Sequence, residues 1–119
     1  MSDMLKQSDD LLPLTPAVFH ILLALADGEK HGYGIMQEVK TISKGSIKMG
    51  PGTLYGSIKR MLASGLIMET DECPDPATDD ERRRYYKLTR FGERVVSAEA
   101  QRLMNLVGVA RSKNLLGPQ

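Results

Sequence analysis

The sequence contains one cysteine, no tryptophan and few aromatic residues among its 119 positions. The single cysteine, Cys73, excludes an internal disulfide framework and a zinc site built from several cysteines. With two Phe and four Tyr, the core must be built from aliphatic side chains, and a large aromatic ligand cage is not expected. No apolar run approaches the roughly 18 residues that span a bilayer, and residues 1–10 lack the pattern of a signal peptide. The sequence therefore predicts a cytoplasmic protein without a membrane partner.

A chain of this length fits one compact domain. Its net charge is only +1, but the charge is unevenly distributed. Residues 1–29 and 68–81 carry net charges of −4 and −7, whereas residues 30–67 and 82–119 carry +5 and +7. Basic segments supply the phosphate attraction that nucleic-acid binding needs, and an ordinary solvated surface has the same pattern. Charge alone leaves both interpretations open.

Two helices and a connection are predicted before residue 50. An apolar residue, a threonine cap and a proline at residues 14–16 are typical of a helix start, and apolar spacing extends this helix over about 15–26. A second short helix opens at residues 31–35 and should end near Ser43. The connection that follows carries Lys44 and Lys48, which should face water or phosphate.

A third helix is predicted over about 51–64, because residues 50–53 read Gly-Pro-Gly-Thr and Gly65 fits a left-handed C-terminal position. Residues 66–71 and 83–88 then indicate two strands of a hairpin with a long polar tip. Thr89 should cap a last helix that continues to about residue 113.

The last helix has roughly 24 residues and a length of about 36 Å, which is more than so small a domain can cover. Its far end should therefore pack on another chain, as a homodimer would provide. The residues expected to form the dimer seam are Val95, Leu103, Leu106, Val107 and Ala110.

This order of elements predicts a mostly α (α+β) fold, a winged helix-turn-helix with a two-stranded β wing and a long C-terminal dimerisation helix. Residues 1–13 would form an N-terminal arm, 14–89 the winged-helix domain, and 90–119 the dimerisation helix and tail. Four motifs in this order resemble the PadR family of bacterial transcriptional regulators over about residues 14–92. They are His31-Gly32-Tyr33-Gly34-Ile35, Gly52-Thr53-Leu54-Tyr55, Gly65-Leu66-Ile67, and Arg84-Tyr85-Tyr86-Lys87-Leu88-Thr89 with Gly92.

The resemblance implies a homodimeric regulator that binds double-stranded DNA, of the short type with one dimerisation helix. Gly56-Ser57 and Met61-Leu62 depart from the residues common at these positions of the family. The resemblance also implies a phosphate contact from Tyr33, and packing between helices is the alternative for this residue.

The third helix is the predicted recognition helix, whose N-terminal turn would enter the major groove of a pseudo-palindromic operator. Gly50 and Gly52 would allow close backbone approach, and the free N–H groups favour a phosphate. The side chains expected on the exposed, DNA-facing side are Thr53, Tyr55, Ser57 and Lys59.

The hairpin tip is acidic and should be repelled by DNA, whereas Arg82, Arg83 and Arg84 follow it. These arginines would contact phosphates, or they would only neutralise the acidic residues before them. Repression is favoured over activation, because a bare DNA-binding dimer blocks polymerase without further parts.

No enzyme is predicted. His20 and His31 have no nucleophile or carboxylate at a catalytic spacing, and no Gly-rich loop follows a strand. Neither a metal nor a cofactor is expected. Two alternatives remain: a sensor with an unknown small-molecule effector in the dimer cavity, and a winged-helix module that binds a protein.

Overall fold

The computed structural model describes residues 11–70 and 84–117. Within these ranges the chain forms α1 (Pro16–Leu25), β1 (Lys30–His31), α2 (Gly32–Ile42), α3 (Pro51–Ala63), β2 (Ile67–Thr70), β3 (Tyr85–Leu88) and α4 (Arg90–Ser112). The four predicted helices and the two predicted strands are confirmed, with ends shifted by one or two residues.

The helix starts follow the local sequence. Thr15 caps α1 by accepting a hydrogen bond from the N–H of Val18 at 3.2 Å, and Thr89 caps α4 by accepting from the N–H of Gly92 at 2.9 Å. Gly65 adopts a φ of +80° after α3, as predicted, because a residue without Cβ enters the left-handed region without strain.

The sheet differs from the prediction. In the described residues it has three antiparallel strands in the order β1-β3-β2, where two were expected. The additional strand is Lys30–His31, which pairs with Tyr86 and Tyr85 of β3. Two residues are too few to give a periodic pattern, and the sequence predicted the start of the second helix at His31. The extra strand ties the beginning of α2 to the sheet.

The core lies between α1, the first half of α4 and the sheet, with α2 and α3 closing the other side. It is aliphatic, as the scarcity of aromatic residues predicts. Its fully buried members include Ile21 and Leu22 of α1, Ile35 and Val39 of α2, Leu54 of α3, and Val95 of α4.

The start of α4 is held to the turn after α3 by backbone contacts. The N–H of Thr89 donates to the carbonyl of Leu66 at 3.1 Å, and the Thr89 hydroxyl donates to the carbonyls of Gly65 and Leu66. Gly92 is buried against the same segment. A Cβ on it would lie 3.0 Å from the carbonyl carbon of Leu66 and closer still to its oxygen, so this position leaves no room for a larger residue. The direction in which α4 leaves the domain is therefore fixed by contacts of Thr89 and Gly92 with the main chain of Gly65 and Leu66.

Candidate nucleic-acid interface

The N-terminal turn of α3 faces open space. Gly50 is the N-cap and has no side chain with which to cap the helix, and Gly50, Pro51, Gly52 and Thr53 are all exposed. A Cβ on either glycine would have no neighbour within 4 Å. Exposed N–H groups at the positive end of a helix are suited to an anionic oxygen such as that of a phosphate.

Thr53 and Lys59 are exposed on α3, as predicted. Ser57 is not, and the expectation that it faces DNA is wrong, because only 2 % of the residue is accessible. It lies three residues after Leu54 and four before Met61, on the buried side of the helix, and its hydroxyl accepts from Nη2 of Arg60 at 3.3 Å. The Ser57 hydroxyl therefore forms a hydrogen bond within α3.

Tyr33 and Tyr55 differ in their exposure and in their contacts. Tyr33, in the first turn of α2, is 62 % exposed, and its ring lies 6.3 Å from that of His31 in a stacked arrangement. Tyr55 is 37 % exposed, and the end of its ring lies over Gly32. Of the two, Tyr33 has the more accessible hydroxyl-bearing ring.

The turn between α2 and α3 presents the two predicted lysines. Lys44 and Gly45 have φ angles of +54° and +81°, which reverse the chain direction, and Lys44 and Lys48 are both exposed. From residue 39 to residue 68 the sequence has no acidic residue. The basic residues in that stretch are Lys40, Lys44, Lys48, Lys59 and Arg60. The stretch from the end of α2 through α3 is therefore cationic.

At the base of the wing, Arg84 is exposed and forms an ion pair with Glu69, with Nη1 and Oε1 3.2 Å apart. This contact agrees with the alternative in which the arginine offsets a neighbouring acid. Arg82, Arg83 and the acidic tip lie outside the described residues.

The far half of α4 is apolar and exposed. Val107 and Leu106 are exposed, and Leu103 and Ala110 are partly exposed. Val95 is fully buried in the core of its own chain, so its predicted place in a dimer seam is wrong. The stripe that the domain covers at residues 92, 95, 96 and 99 continues along the helix as the uncovered residues 103, 106, 107 and 110.

A buried carboxylate lies where α4 leaves the domain. Glu99 is 2 % exposed and accepts hydrogen bonds from the N–H of Leu14 at 3.0 Å and from Nη2 of Arg102 at 3.0 Å. The hydrogen bonding of Arg102 lowers the pKa of Glu99, against the opposing effect of burial. The hydropathy of the sequence does not predict a buried charged side chain at position 99. The signal that could have indicated it is the three-residue spacing of Glu99 and Arg102, which allows an ion pair on one face of a helix.

In the part of the chain that the structure describes, no group of three His, Cys, Asp or Glu side chains could hold a metal ion. None of the helices in these residues is long and apolar enough to cross a membrane.

A family model described as the transcriptional regulator PadR-like family matches residues 21–98. This chain belongs to that family. PadR-like proteins are transcriptional regulators and not enzymes, and the resemblance drawn from the four motifs is confirmed.

Three similar proteins illustrate the relationship. A transcriptional regulator of Mycobacterium tuberculosis is 31 % identical over 100 residues, which are 84 % of this chain and 82 % of that protein. An uncharacterised protein in a transposon of Streptomyces fradiae is 34 % identical over 88 residues, or 74 % of this chain. The crystal structure of PadR from Bacillus subtilis in complex with operator DNA has a TM-score of 0.60 at 21 % identity and covers 72 % of this chain.

Two of these proteins are much longer than the region they share with this PadR-like chain. The match spans 23 % of the Streptomyces protein and 46 % of the Bacillus chain. At 21 % identity, the likeness to the Bacillus structure is one of fold.

Proposed function

We propose that this PadR-like protein is a cytoplasmic, homodimeric repressor that binds a pseudo-palindromic DNA operator. The observation that carries the proposal is the open N-terminal turn of α3, set in a stretch without acidic residues and flanked by Lys44 and Lys48. The complex of the Bacillus subtilis PadR with operator DNA supports it, since that protein shares the fold.

In this proposal α3 enters the major groove. Thr53 and Lys59 are exposed and can donate hydrogen bonds to base edges, and Gly52 leaves the backbone of the first turn open to close approach. The buried side of the helix holds Leu54 and Met61 in the core. The groove-facing side is thereby presented by a rigid element.

Phosphate contacts would surround this helix. Lys44 and Lys48 approach from the turn before it, and Tyr33 from the start of α2. Arg84 approaches from the wing, and Arg82 and Arg83 are predicted to add to it. Such contacts position a protein on the duplex without reading its sequence, and they make affinity dependent on salt.

A dimer follows from the exposed stripe of α4. Leu103, Leu106, Val107 and Ala110 form a helical seam that a second copy of the chain would bury. Two-fold symmetry would place the two α3 helices in successive major grooves, with half-site centres about 34–36 Å apart.

The decisive experiment is selection of duplexes from a random pool, followed by fluorescence anisotropy on the selected duplex and on a shuffled one. We expect tight binding to the selected duplex alone. Six to ten phosphate contacts would weaken this binding about 10³- to 10⁵-fold between roughly 50 and 200 mM salt. Failure to enrich any sequence, or equal binding to the enriched duplex and the shuffled one, would refute operator recognition.

Lys48→Ala is expected to weaken binding to every duplex by a similar factor and to reduce the slope of log affinity against log salt by about one for each subunit. The reason is the loss of one released counterion per subunit. Lys113→Ala, which removes the same charge at the end of α4, is the control and should leave the slope unchanged. An unchanged slope in Lys48→Ala would contradict the phosphate contact.

Glu69→Gln is expected to raise affinity severalfold at low salt, because it releases Arg84 from its ion pair. The salt slope should then steepen by about one for each subunit. Glu29→Gln, which makes the same change in an exposed turn, is the control. Anisotropy titrations at several salt concentrations measure both quantities, and equal effects from the two variants would exclude a role for Arg84.

Val107→Glu is expected to convert the dimer, of about twice 13.2 kDa, into a monomer at micromolar concentration. A carboxylate buried without a partner in an apolar seam costs several kcal/mol. Gln101→Glu adds the same charge to an exposed position on another face of α4 and should stay dimeric. Sedimentation velocity distinguishes the two states, and a dimeric Val107→Glu would move the interface elsewhere.

A further inference from the structure

The contact between Tyr55 of α3 and Gly32 of α2 joins the two helices of the helix-turn-helix. A Cβ on Gly32 would lie 2.8 Å from Cζ and 3.1 Å from Cε1 of Tyr55, and closer still to the hydroxyl oxygen. The distances to Cζ and to the hydroxyl oxygen are shorter than real Cβ contacts, so the end of the Tyr55 ring lies directly against the glycine backbone. Gly32 is buried, and Tyr55 retains 37 % exposure.

The turn of α2 that receives the ring is itself held by the sheet. His31, the last residue of β1, pairs with Tyr85 of β3, and its ring meets that of Tyr85 edge-on at 5.4 Å. Nδ1 of His31 also accepts a hydrogen bond from the N–H of Gly34 at 3.0 Å and caps α2. The backbone at Gly32 is therefore fixed relative to the sheet.

We propose that Tyr55 is a positioning residue, which sets the angle of α3 by resting its ring on Gly32. This inference rests on the proposed function and assigns Tyr55 a role different from reading bases with its hydroxyl group. Because the sheet fixes the first turn of α2, the contact of the ring with that turn also fixes the position of α3. The contact needs a glycine at position 32 and an aromatic ring at position 55, and it does not need the hydroxyl to meet DNA.

The test compares five variants, Gly32→Ala, Gly34→Ala, Tyr55→Phe, Tyr55→Leu and Gly32→Ala/Tyr55→Leu, on the selected duplex and a shuffled one, with anisotropy as the readout. Gly32→Ala should weaken selected binding by about tenfold or more and lower the ratio of selected to shuffled binding. Gly34→Ala is the matched control in the same turn, since its Cβ would meet His31 at an ordinary 3.6 Å. It should bind within about threefold of the unchanged protein.

Tyr55→Phe separates positioning from base reading. It keeps the ring, so it should select the same sequence and bind it within about threefold of the unchanged protein. If the hydroxyl reads a base, Tyr55→Phe would lose discrimination at one base pair. That result would overturn the proposal.

The double variant Gly32→Ala/Tyr55→Leu tests the contact itself. Leucine has no atoms at the positions of Cε1, Cζ and the hydroxyl, so it leaves room for the alanine methyl. The double variant should bind as Tyr55→Leu does, within about threefold, instead of showing the product of the two separate losses. Additive losses, or a Gly32→Ala that binds normally, would overturn the proposal.

Circular dichroism monitors folding of every variant. If Gly32→Ala does not fold, recovery of folding and binding in the double variant supports the contact, and a double variant that also fails to fold contradicts it. If the unchanged protein selects no duplex, the proposed function fails. Failure of the inference alone would leave selective binding by the unchanged protein intact.

Discussion

Arg102→Met is expected to lower the free energy of unfolding by about 2–3 kcal/mol at pH 7, because among the residues that the structure describes the buried carboxylate of Glu99 would keep a single hydrogen-bond donor, the N–H of Leu14. Removing one partner of a buried ion pair costs about 3–5 kcal/mol. We expect a smaller loss for this variant because the Arg102 side chain is 36 % exposed. Urea denaturation at a fixed protomer concentration measures the change. Arg94→Met, an exposed arginine of the same helix, should cost well under about 1 kcal/mol.

The pH dependence of this variant has a defined sign. In the unchanged protein the hydrogen bonding of Arg102 lowers the pKa of Glu99. The contribution of ionised Glu99 to stability is complete at pH values above 4.5, the ordinary pKa of the carboxyl group. It is lost as the pH falls through the lower pKa that this group has in the folded protein. Without Arg102, burial dominates and raises the pKa, so Glu99 takes up a proton in mild acid. The deficit of Arg102→Met should therefore shrink between pH 7 and pH 5. An equal deficit at both would contradict a buried, ionised Glu99.

Gly92→Ala is expected to destabilise the fold by about 3 kcal/mol, the upper end of the cost of overpacking. Its Cβ would collide with the carbonyl oxygen of Leu66 and lie 3.4 Å from the Cα. That backbone cannot retreat easily, because the same carbonyl accepts hydrogen bonds from the N–H and hydroxyl of Thr89.

Gly108→Ala is the matched control on the same helix, since its Cβ would have no neighbour within 4 Å. Alanine exceeds glycine in helix propensity by up to about 1 kcal/mol, so this variant should be neutral or slightly more stable. Thermal and urea unfolding of both variants give the comparison. If Gly92→Ala matched Gly108→Ala, the close approach of α4 to Leu66 would be disproved.

The helices were predictable because their signals are local. Thr15 and Thr89 cap as threonines do before a helical stripe, and Gly65 ends α3 with a positive φ. The pairing of Lys30–His31 with β3 joins residues more than 50 positions apart, and no local pattern contains it.

The site was predictable in outline and less so in side-chain orientation. Ser57 was assigned to the exposed side of α3 because it is polar, although its spacing from Leu54 and Met61 indicates the buried side. Val95 was assigned to the dimer seam because it is apolar, whereas the domain covers that part of the stripe itself. Spacing identifies the stripe, but only tertiary packing shows where its own domain stops covering it.

The proposed role of Tyr55 and the packing of Gly92 could not be predicted from periodicity. Both depend on how closely another part of the chain approaches a glycine, the Tyr55 ring at Gly32 and the Leu66 backbone at Gly92, which is a property of the assembled fold. A glycine marks such an approach in the sequence without saying what lies opposite it.

The continuous stripe of α4 restricts the lengths that this helix can have. Residues before and after position 99 share one angular phase, and each residue turns the helix by about 100°. One extra residue after Arg102 would rotate the uncovered half away from the phase of the covered half and aim Leu106 and Val107 elsewhere. Seven extra residues would restore the phase to within about 20° and move the seam outward by about 10 Å. In the proposed dimer, insertions of about 7, 11 or 18 residues in α4 would therefore keep this phase to within about 20° and change the separation of the two DNA-binding domains.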